Sequence, residues 1–403
     1  RLPIAVKVAV VVVVVAGVVL AAILLTDPSS SADTPCFELS EDAMERALCI
    51  HSRVPMVDGH NDLPWTGYRT PETVLDDVTQ LNLRDPQPQL MTDIPRLQQG
   101  KVGGQFWSVY VPCEMQHVDA VRATLEQIDV VKSFVGQYPD VFQMAYTADD
   151  IVDAHAQGRI ASLIGVEGGH QIDSSLGALR MLYDLGARYL TLTHTCNTPW
   201  SGSATPPAPA PYGLTDFGRK IVLEMNRLGF LVDLSHVSLA TMRDAMNVTL
   251  APVMFSHSSA FSLCNHERNV RDELLRDISR VGGVVMVNFY PYYVNCTASA
   301  TLEQVADHVE QIMAAAGEDH VGYGSDFDGI EVTPAGLSSV ADFPNLTAEL
   351  IRRGHSEATM EKIVGLNIVA TLRQAEAVAA SLQGSMPIQG GLEFPAAACR
   401  SDF

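Results

Sequence analysis

Positive charge is scarce in this sequence. Its 403 residues carry 26 lysines and arginines against 47 aspartates and glutamates, a formal charge of −21. Such a surface repels phosphate backbones, which excludes nucleic acid as a partner. The seven cysteines contain no CxxC pair, which argues against a zinc knuckle or a thioredoxin-like motif. No strand-like run leads through Gly-x-Gly-x-x-Gly into a helix, which weakens a dinucleotide-binding reading. Internal repeats are absent as well. Apolar residues are plentiful at 47% of the chain, enough to fill the core of one large domain or two ordinary ones. Disorder is therefore not the default.

Residues 8–25, "VAVVVVVVAGVVLAAILL", form an uncharged run of 18 that meets the length a bilayer-spanning helix needs. Arg1 and Lys7 precede it and Asp27 follows, so residues 1–7 are expected to form a cytosolic stub. The reading is a type II plasma-membrane protein, with the folded part outside the cell beyond a polar stalk at 26–35. The alternative is a cleaved signal peptide, with small residues for cleavage in "SSSAD", and a secreted product. Sequons at Asn247, Asn295 and Asn345 all lie beyond the run, in keeping with export. In an oxidising compartment the cysteines read as disulfides, and the odd one is left for another chain.

Eight short β-rich runs follow: "RVPMVD", "QFWSVYV", "IASLIGV", "RYLTLT", "FLVDLS", "PVMFS", "GVVMVN" and "HVGYGS". Between them stand stretches with helical spacing of apolar residues, such as "DAVRATLEQIDVVKSFV", "LTDFGRKIVLEMNRLG" and "TLEQVADHVEQIMAAAG". Eight apolar strands alternating with helices predict an α/β fold, a (β/α)8 TIM-like barrel over residues 36–384. A doubly wound open sheet is the alternative. "SGSATPPAPAPYG" (201–213) reads as an exposed loop, and residues 385–403 as a C-terminal extension.

The runs end in polar residues of one kind. The first ends with His60 and Asp62, the third with Glu167, and the fourth with His194. The fifth ends with His236, the sixth with His257, and the eighth with Asp326 and Asp328. Each has a bland explanation: a histidine after a strand is usually a surface group, Asp62 could cap a turn, and Asp328 before Gly329 could make an Asx-turn. Glu167 between apolar residues and glycines is harder to dismiss, because a buried carboxylate is costly unless paired or coordinated. In a barrel these ends meet at one face, where the active sites of the fold are built. Imidazoles and carboxylates without thiolate suit catalytic zinc. Five such ligands suffice for two ions sharing a carboxylate, roughly 3.5–4 Å apart, that hold a hydroxide and polarise a carbonyl. Hydrolysis is the reaction class this predicts.

With these residues in hand, the sequence resembles the membrane dipeptidase (renal dipeptidase) family of zinc hydrolases. The resemblance runs from about residue 40 to 380 through "VDGHNDLPW", "VGGQFWSVYVPC", "SLIGVEGGH", "YLTLTHTCNTPW", "FSHSSA", "RNV", "VVMVNFY" and "GSDFDG". It implies two zinc ions per subunit, one held by His60, Asp62 and Glu167, the other by Glu167, His236 and His257. It further implies that His194 contacts the substrate carbonyl and Asp326 moves protons to the leaving amine. Arg268, in "NHERNVRDE", would on its own read as a surface ion-pair residue; the resemblance makes it the binder of the substrate carboxylate. For the cysteines it implies Cys113–Cys196 and Cys264–Cys296, and Cys399 matches the position that links two subunits into a homodimer. Cys36 and Cys49 are expected to pair with each other. Mammalian relatives are usually held by a C-terminal lipid anchor, whose hydrophobic tail "PAAACRSDF" lacks, so the N-terminal helix is expected to replace it. The rival readings are a catalytically silent cell-surface receptor and a binuclear hydrolase of a different amide. Every ligand position is filled, which disfavours the first, and Arg268 disfavours the second.

Overall fold

The computed structural model describes residues 34–68, 78–208, 210 and 212–390. The apolar run at 8–25, the stub before it, nearly all of the stalk, Cys399 and the end of the C-terminal extension lie outside the described residues.

Nine parallel strands form the sheet. They are β1 (Met56–Asn61), β2 (Val102–Tyr110), β3 (Phe142–Met144), β4 (Ile160–Glu167), β5 (Ala187–Thr191), β6 (Leu231–Asp233), β7 (Val253–Phe255), β8 (Val284–Val287) and β9 (Val321–Tyr323). The order β2-β1-β9-β8-β7-β6-β5-β4 closes on itself because β2 also pairs with β4, from Gly104 opposite Ala161 to Tyr110 opposite Glu167. The eight expected runs are the eight strands of this closed barrel. β3 was not anticipated; it pairs with the first residues of β4, Phe142 opposite Ile160. Strand residues are buried almost throughout, as a parallel sheet covered on its outer face requires.

The helices lie where the periodicity put them. Ala120–Gln137 turns Ala123, Ile128, Val131 and Phe134 inward. Asp216–Leu228 starts at Thr215, whose hydroxyl accepts from the Gly218 N–H, and stops at Gly229, where φ is +81°. A left-handed residue there ends the helix, and glycine adopts it without a side-chain clash. Leu302–Ala316 opens with a capping box between Thr301 and Gln304. The chain closes with an apolar segment over Glu357–Ser381, long enough to cross a membrane but half buried inside the protein. Its last helix, Asn367–Ser381, packs on Ala148–Ala156 and Asp216–Leu228 as an ordinary barrel helix.

Among the described residues three disulfides are formed: Cys36–Cys49, Cys113–Cys196 and Cys264–Cys296. The second ties the loop after β2 to the loop after β5. The third ties the loop after β7, which carries Arg268, to the segment after β8. Both therefore brace the rim at the C-terminal ends of the strands.

Candidate metal centre

At that rim the strand ends converge on one carboxylate oxygen. Glu167 Oε1 lies 3.1 Å from His236 Nε2, 3.4 Å from His60 Nε2, 3.5 Å from His257 Nε2 and 4.0 Å from His194 Nε2. His60 Nε2 is also 3.2 Å from Asp62 Oδ2. The Nε2 atoms of His236 and His257 approach to 2.9 Å. All these ligand-type atoms fall within 4.8 Å of one another in overlapping groups of three, and Asp326 joins His60 and Asp62 in one such group. His60 and His257 are fully buried, and Asp62, Glu167 and His236 nearly so.

Asp62 does not cap the turn. It sits at the start of the short helix Leu63–Thr66, yet its side chain makes no capping bond and turns to His60 instead. His236, Asp326 and Asp328 adopt left-handed backbone angles of +64° to +66°. Non-glycine residues hold that conformation at a cost of about 1–3 kcal/mol, which the surrounding structure must offset. The strain aims side chains into the site.

The histidines are presented by a layer beneath them. Asp233, at the end of β6, accepts hydrogen bonds on Oδ2 from the hydroxyls of Thr191 (2.5 Å) and Ser256 (2.6 Å). Ser256 Oγ is also 2.8 Å from His257 Nδ1. A hydroxyl has one proton, and Ser256 gives it to Asp233, so it must accept from His257 Nδ1–H. That fixes the tautomer and turns the Nε2 lone pair toward Glu167. On the other side the Tyr189 hydroxyl lies 2.7 Å from His60 Nδ1. Tyr189 can lie over β4 because residue 165 is glycine; a Cβ there would fall 1.9 Å from the tyrosine ring. Ser108 Oγ donates to Glu167 Oε2 at 3.2 Å.

The electrostatics are those of a set of ligands. Burial, and then the neighbouring Arg268, hold His236 well below its ordinary pKa; burial and His60 do the same for His257. Burial depresses His194 to about 3, helped by His170 and Arg268. Burial also lowers His60, but Tyr189, Glu167 and Asp62 raise it by more, and the balance lies well above the ordinary value. Burial raises Glu167 against the opposing charge of His60. Without a bound cation, Asp326 is pushed up to about 7, by burial first, with His60 opposing and Asp62 and Glu167 adding. Asp326 Oδ2 accepts from Asn288 Nδ2 at 2.9 Å. Asp328, raised by burial to about 6, accepts from the Met91 N–H at 2.6 Å.

A metal fits this set. His60 Nε2 is a buried polar atom with no hydrogen-bond partner, and the Nε2 atoms of His236 and His257, imidazoles that burial holds neutral, face the same carboxylate oxygen. A second grouping, Cys113, His170 and Cys196, does not fit, because its two sulfurs are bonded to each other.

Above the ligands opens a cleft of about 540 Å³, walled by Trp65, Tyr110, His194, Tyr290, Tyr293 and Asp326 among others. Arg268 is not part of that wall. Only 1% exposed, it bonds His257 O (3.3 Å) and Ser258 Oγ (3.4 Å), and its guanidinium stands 5.1 Å over the Tyr293 ring. It makes no ion pair with a carboxylate among the described residues, and its Nε has no partner.

The chain matches the description "Membrane dipeptidase (Peptidase family M19)" over residues 44–386. This chain belongs to that family. It is 42% identical over 363 residues to dipeptidase aclJ of Aspergillus oryzae, covering 87% of this chain and 84% of the relative. It is 41% identical over 355 residues to dipeptidase 3 of Mus musculus, covering 87% and 70%. Among solved structures, a metallopeptidase of Rhodobacter sphaeroides liganded with a phosphinate mimic of L-Ala-D-Ala superposes with a TM-score of 0.72 at 27% identity, over 80% of this chain and 99% of that one. The barrel is thus that of a metal-dependent hydrolase, a dipeptidase.

The convergence unites His60, Asp62, Glu167, His194, His236, His257 and Asp326, while Arg268 lies beside it, behind Tyr293. Sequence reasoning missed Tyr189, Asp233 and Ser256. Asp233 alone carried a signal, an acidic residue inside the apolar run "FLVDLS".

Proposed function

We propose that the chain is a binuclear zinc dipeptidase working outside the cell. His60, Asp62 and Glu167 would hold one ion, and Glu167, His236 and His257 the other. The observation that carries this is the position of Glu167 Oε1, within 3.5 Å of three imidazole nitrogens on three other strand ends. Two zinc ions so held would supply an activated water and polarise the scissile carbonyl.

The rest of the chemistry falls to the chain's own side chains. Arg268, a buried cation with no carboxylate partner among the described residues, would bind the free carboxylate of the dipeptide beside Tyr293. That contact fixes the distance from substrate terminus to ligands and selects dipeptides over longer peptides. His194, neutral and on the cleft wall, hydrogen-bonds the substrate carbonyl. Asp326, on the cleft wall and held by Asn288, would take a proton from the activated water and give it to the leaving amine.

The run at 8–25 would anchor the chain as a type II membrane protein, and Cys399 would join two subunits in a homodimer. Sequencing the mature N-terminus tests the first, since a start near Asp33 means a cleaved signal. A non-reducing gel of Cys399→Ser tests the second. Asn247 and Asn295 are exposed, and Asn247 is the more open to glycosylation, because the Asn295 amide donates to Thr297 Oγ1 at 3.4 Å and Ser299 O at 3.3 Å. Asn345 is half-buried, with its amide donated to Gly336 O and Asp342 Oδ1 at 3.1 Å each, and would be modified less.

The clamp is tested with a dipeptide and its C-terminal amide. Wild type should cleave the amide roughly ten- to a hundredfold less well, the cost of one charge-assisted contact. Arg268→Lys should lose about that factor on the acid and little on the amide. Equal turnover of acid and amide by wild type would remove the carboxylate clamp.

A further inference from the structure

Beside the catalytic cleft lies a second cavity of about 770 Å³, walled by Asn265, His266, Tyr290, Tyr292, Tyr293, Cys296, Glu331 and Val332. It adjoins the cleft, and Tyr290, Tyr293 and Glu331 line both. Its aromatic groups form one cluster: Tyr290 is 5.2 Å from Tyr292 and 5.0 Å from Tyr293, and His266 is 4.7 Å from Tyr293. Tyr292 and Val332 are large side chains left exposed at the mouth, at 43% and 36%, and Leu263 nearby is 48% exposed. The Cys264–Cys296 bridge and Asn269 Nδ2, which donates to Cys264 O and Tyr293 O, hold the two sides together. The cavity is built on braced loops.

The wall has one anionic side chain. Glu331 Oε2 accepts from the Tyr290 hydroxyl at 3.0 Å, which fixes the carboxylate where cavity and cleft meet. His266, the other titratable group besides the tyrosines, is depressed by burial and then by Arg268, so it adds no positive charge near neutrality. Aromatic faces beside a carboxylate attract an organic cation and repel an anion.

We propose that this cavity receives the side chain of the C-terminal residue of the substrate and favours a long cationic one, with Glu331 as the residue that selects it. The inference rests on the dipeptidase reading, in which Arg268 holds the substrate carboxylate next to Tyr293. With the carboxylate there, the side chain on the same carbon leaves along the wall that Tyr293 and Tyr290 share with the cavity. Glu331 is then a specificity residue and takes no part in the chemistry.

The test compares Ala-Arg with Ala-citrulline, which has nearly the same shape and no charge, and uses Ala-Ala as the reference. The zinc-loaded protein should show kcat/KM about fivefold higher for Ala-Arg than for Ala-citrulline, the sum of a cation–π contact and an exposed ion pair. The ratio should fall as salt is raised. In Glu331→Gln it should drop most of the way to one, and Tyr290→Phe, which frees the carboxylate, should lower it in part. Cleavage of Ala-Ala with an Ala-Arg to Ala-citrulline ratio of one in wild type overturns the cavity assignment alone. The same ratio in wild type and Glu331→Gln overturns the role of Glu331. Failure to cleave Ala-Ala at all overturns the underlying dipeptide geometry and this inference together.

Discussion

The two ends of the barrel both collect titratable side chains, and only one end makes a centre. At the N-terminal ends of the strands a cavity of about 450 Å³ is lined by His51, Lys101, Asp140, His155 and Arg159. There His51 and Asp140 already have partners within the fold. His51 Nε2 is 2.8 Å from Thr347 Oγ1 and its Nδ1 is 3.3 Å from Gly100 O, while Asp140 pairs with Arg84 at 2.6 Å. At the C-terminal ends, four imidazoles turn toward one carboxylate oxygen, and one of the nitrogens that face it, His60 Nε2, has no hydrogen-bond partner. Histidine is present at both ends. What differs is whether each polar atom is used up within the fold or left facing a common point.

Substitutions at the two ends should therefore fail in different ways. The largest effect is expected for Glu167→Gln, which keeps the shape and removes the shared anion. Its kcat should fall by on the order of 10²–10³ or more, the scale of losing one group that stabilises charge in the transition state, with the melting temperature of the metal-free protein little changed. Normal turnover by the folded variant would erase the contrast between the ends.

Asp233→Asn comes next. The carboxylate also accepts the Ser235 and Ser256 N–H groups on Oδ1. An amide has one acceptor oxygen, which those N–H groups claim, and it turns its NH2 to the hydroxyls, so Ser256 is free to donate to His257 and the tautomer is no longer fixed. Zinc affinity, measured by competition with a chelator, should weaken about 10- to 100-fold. Ser256→Ala should weaken it in the same direction. Unchanged affinity in both would make the layer under the histidines structural only.

The smallest effect is at the other end and concerns stability. Burial depresses His51 to about 4, with the Gly100 carbonyl opposing and His155 adding. The unfolded chain, with an ordinary histidine, binds the proton first, so between about 6.5 and 4 stability falls as pH falls. At pH 5 this amounts to roughly 2 kcal/mol relative to pH 7.5. His51→Gln should lose correspondingly less stability on acidification, with kcat at pH 7.5 unchanged. If wild type and variant lose stability in parallel, the His51 account is wrong.

The eight barrel strands were legible because each is a short, nearly continuous apolar run closed by polar residues. β3 was not, since three residues with a single buried side chain leave no such run. The imidazoles and carboxylates that converge on Glu167 were legible from their shared place at strand ends, a property of local order that survives folding. The layer beneath them was not. Asp233 meets Thr191 and Ser256 across 42 and 23 residues, and no spacing in the sequence encodes that meeting. Tyr189 reads as one more apolar residue of "RYLTLT" until Gly165 opens the space over which its ring lies. Arg268 reads as a surface ion-pair residue among Glu267, Arg271 and Asp272. The fold buries it instead and gives the ion pair with Glu267 to Arg271, at 3.0 Å. The pairing of neighbouring charges is decided by which one the loop turns inward.

The central claim is that Glu167 bridges two metal ions, and metal content tests it most directly. Wild type purified with zinc and dialysed against metal-free buffer should retain about two zinc ions per chain, and Glu167→Gln about one or none. One zinc per chain in fully active wild type, or two retained by folded Glu167→Gln, would contradict the bridge.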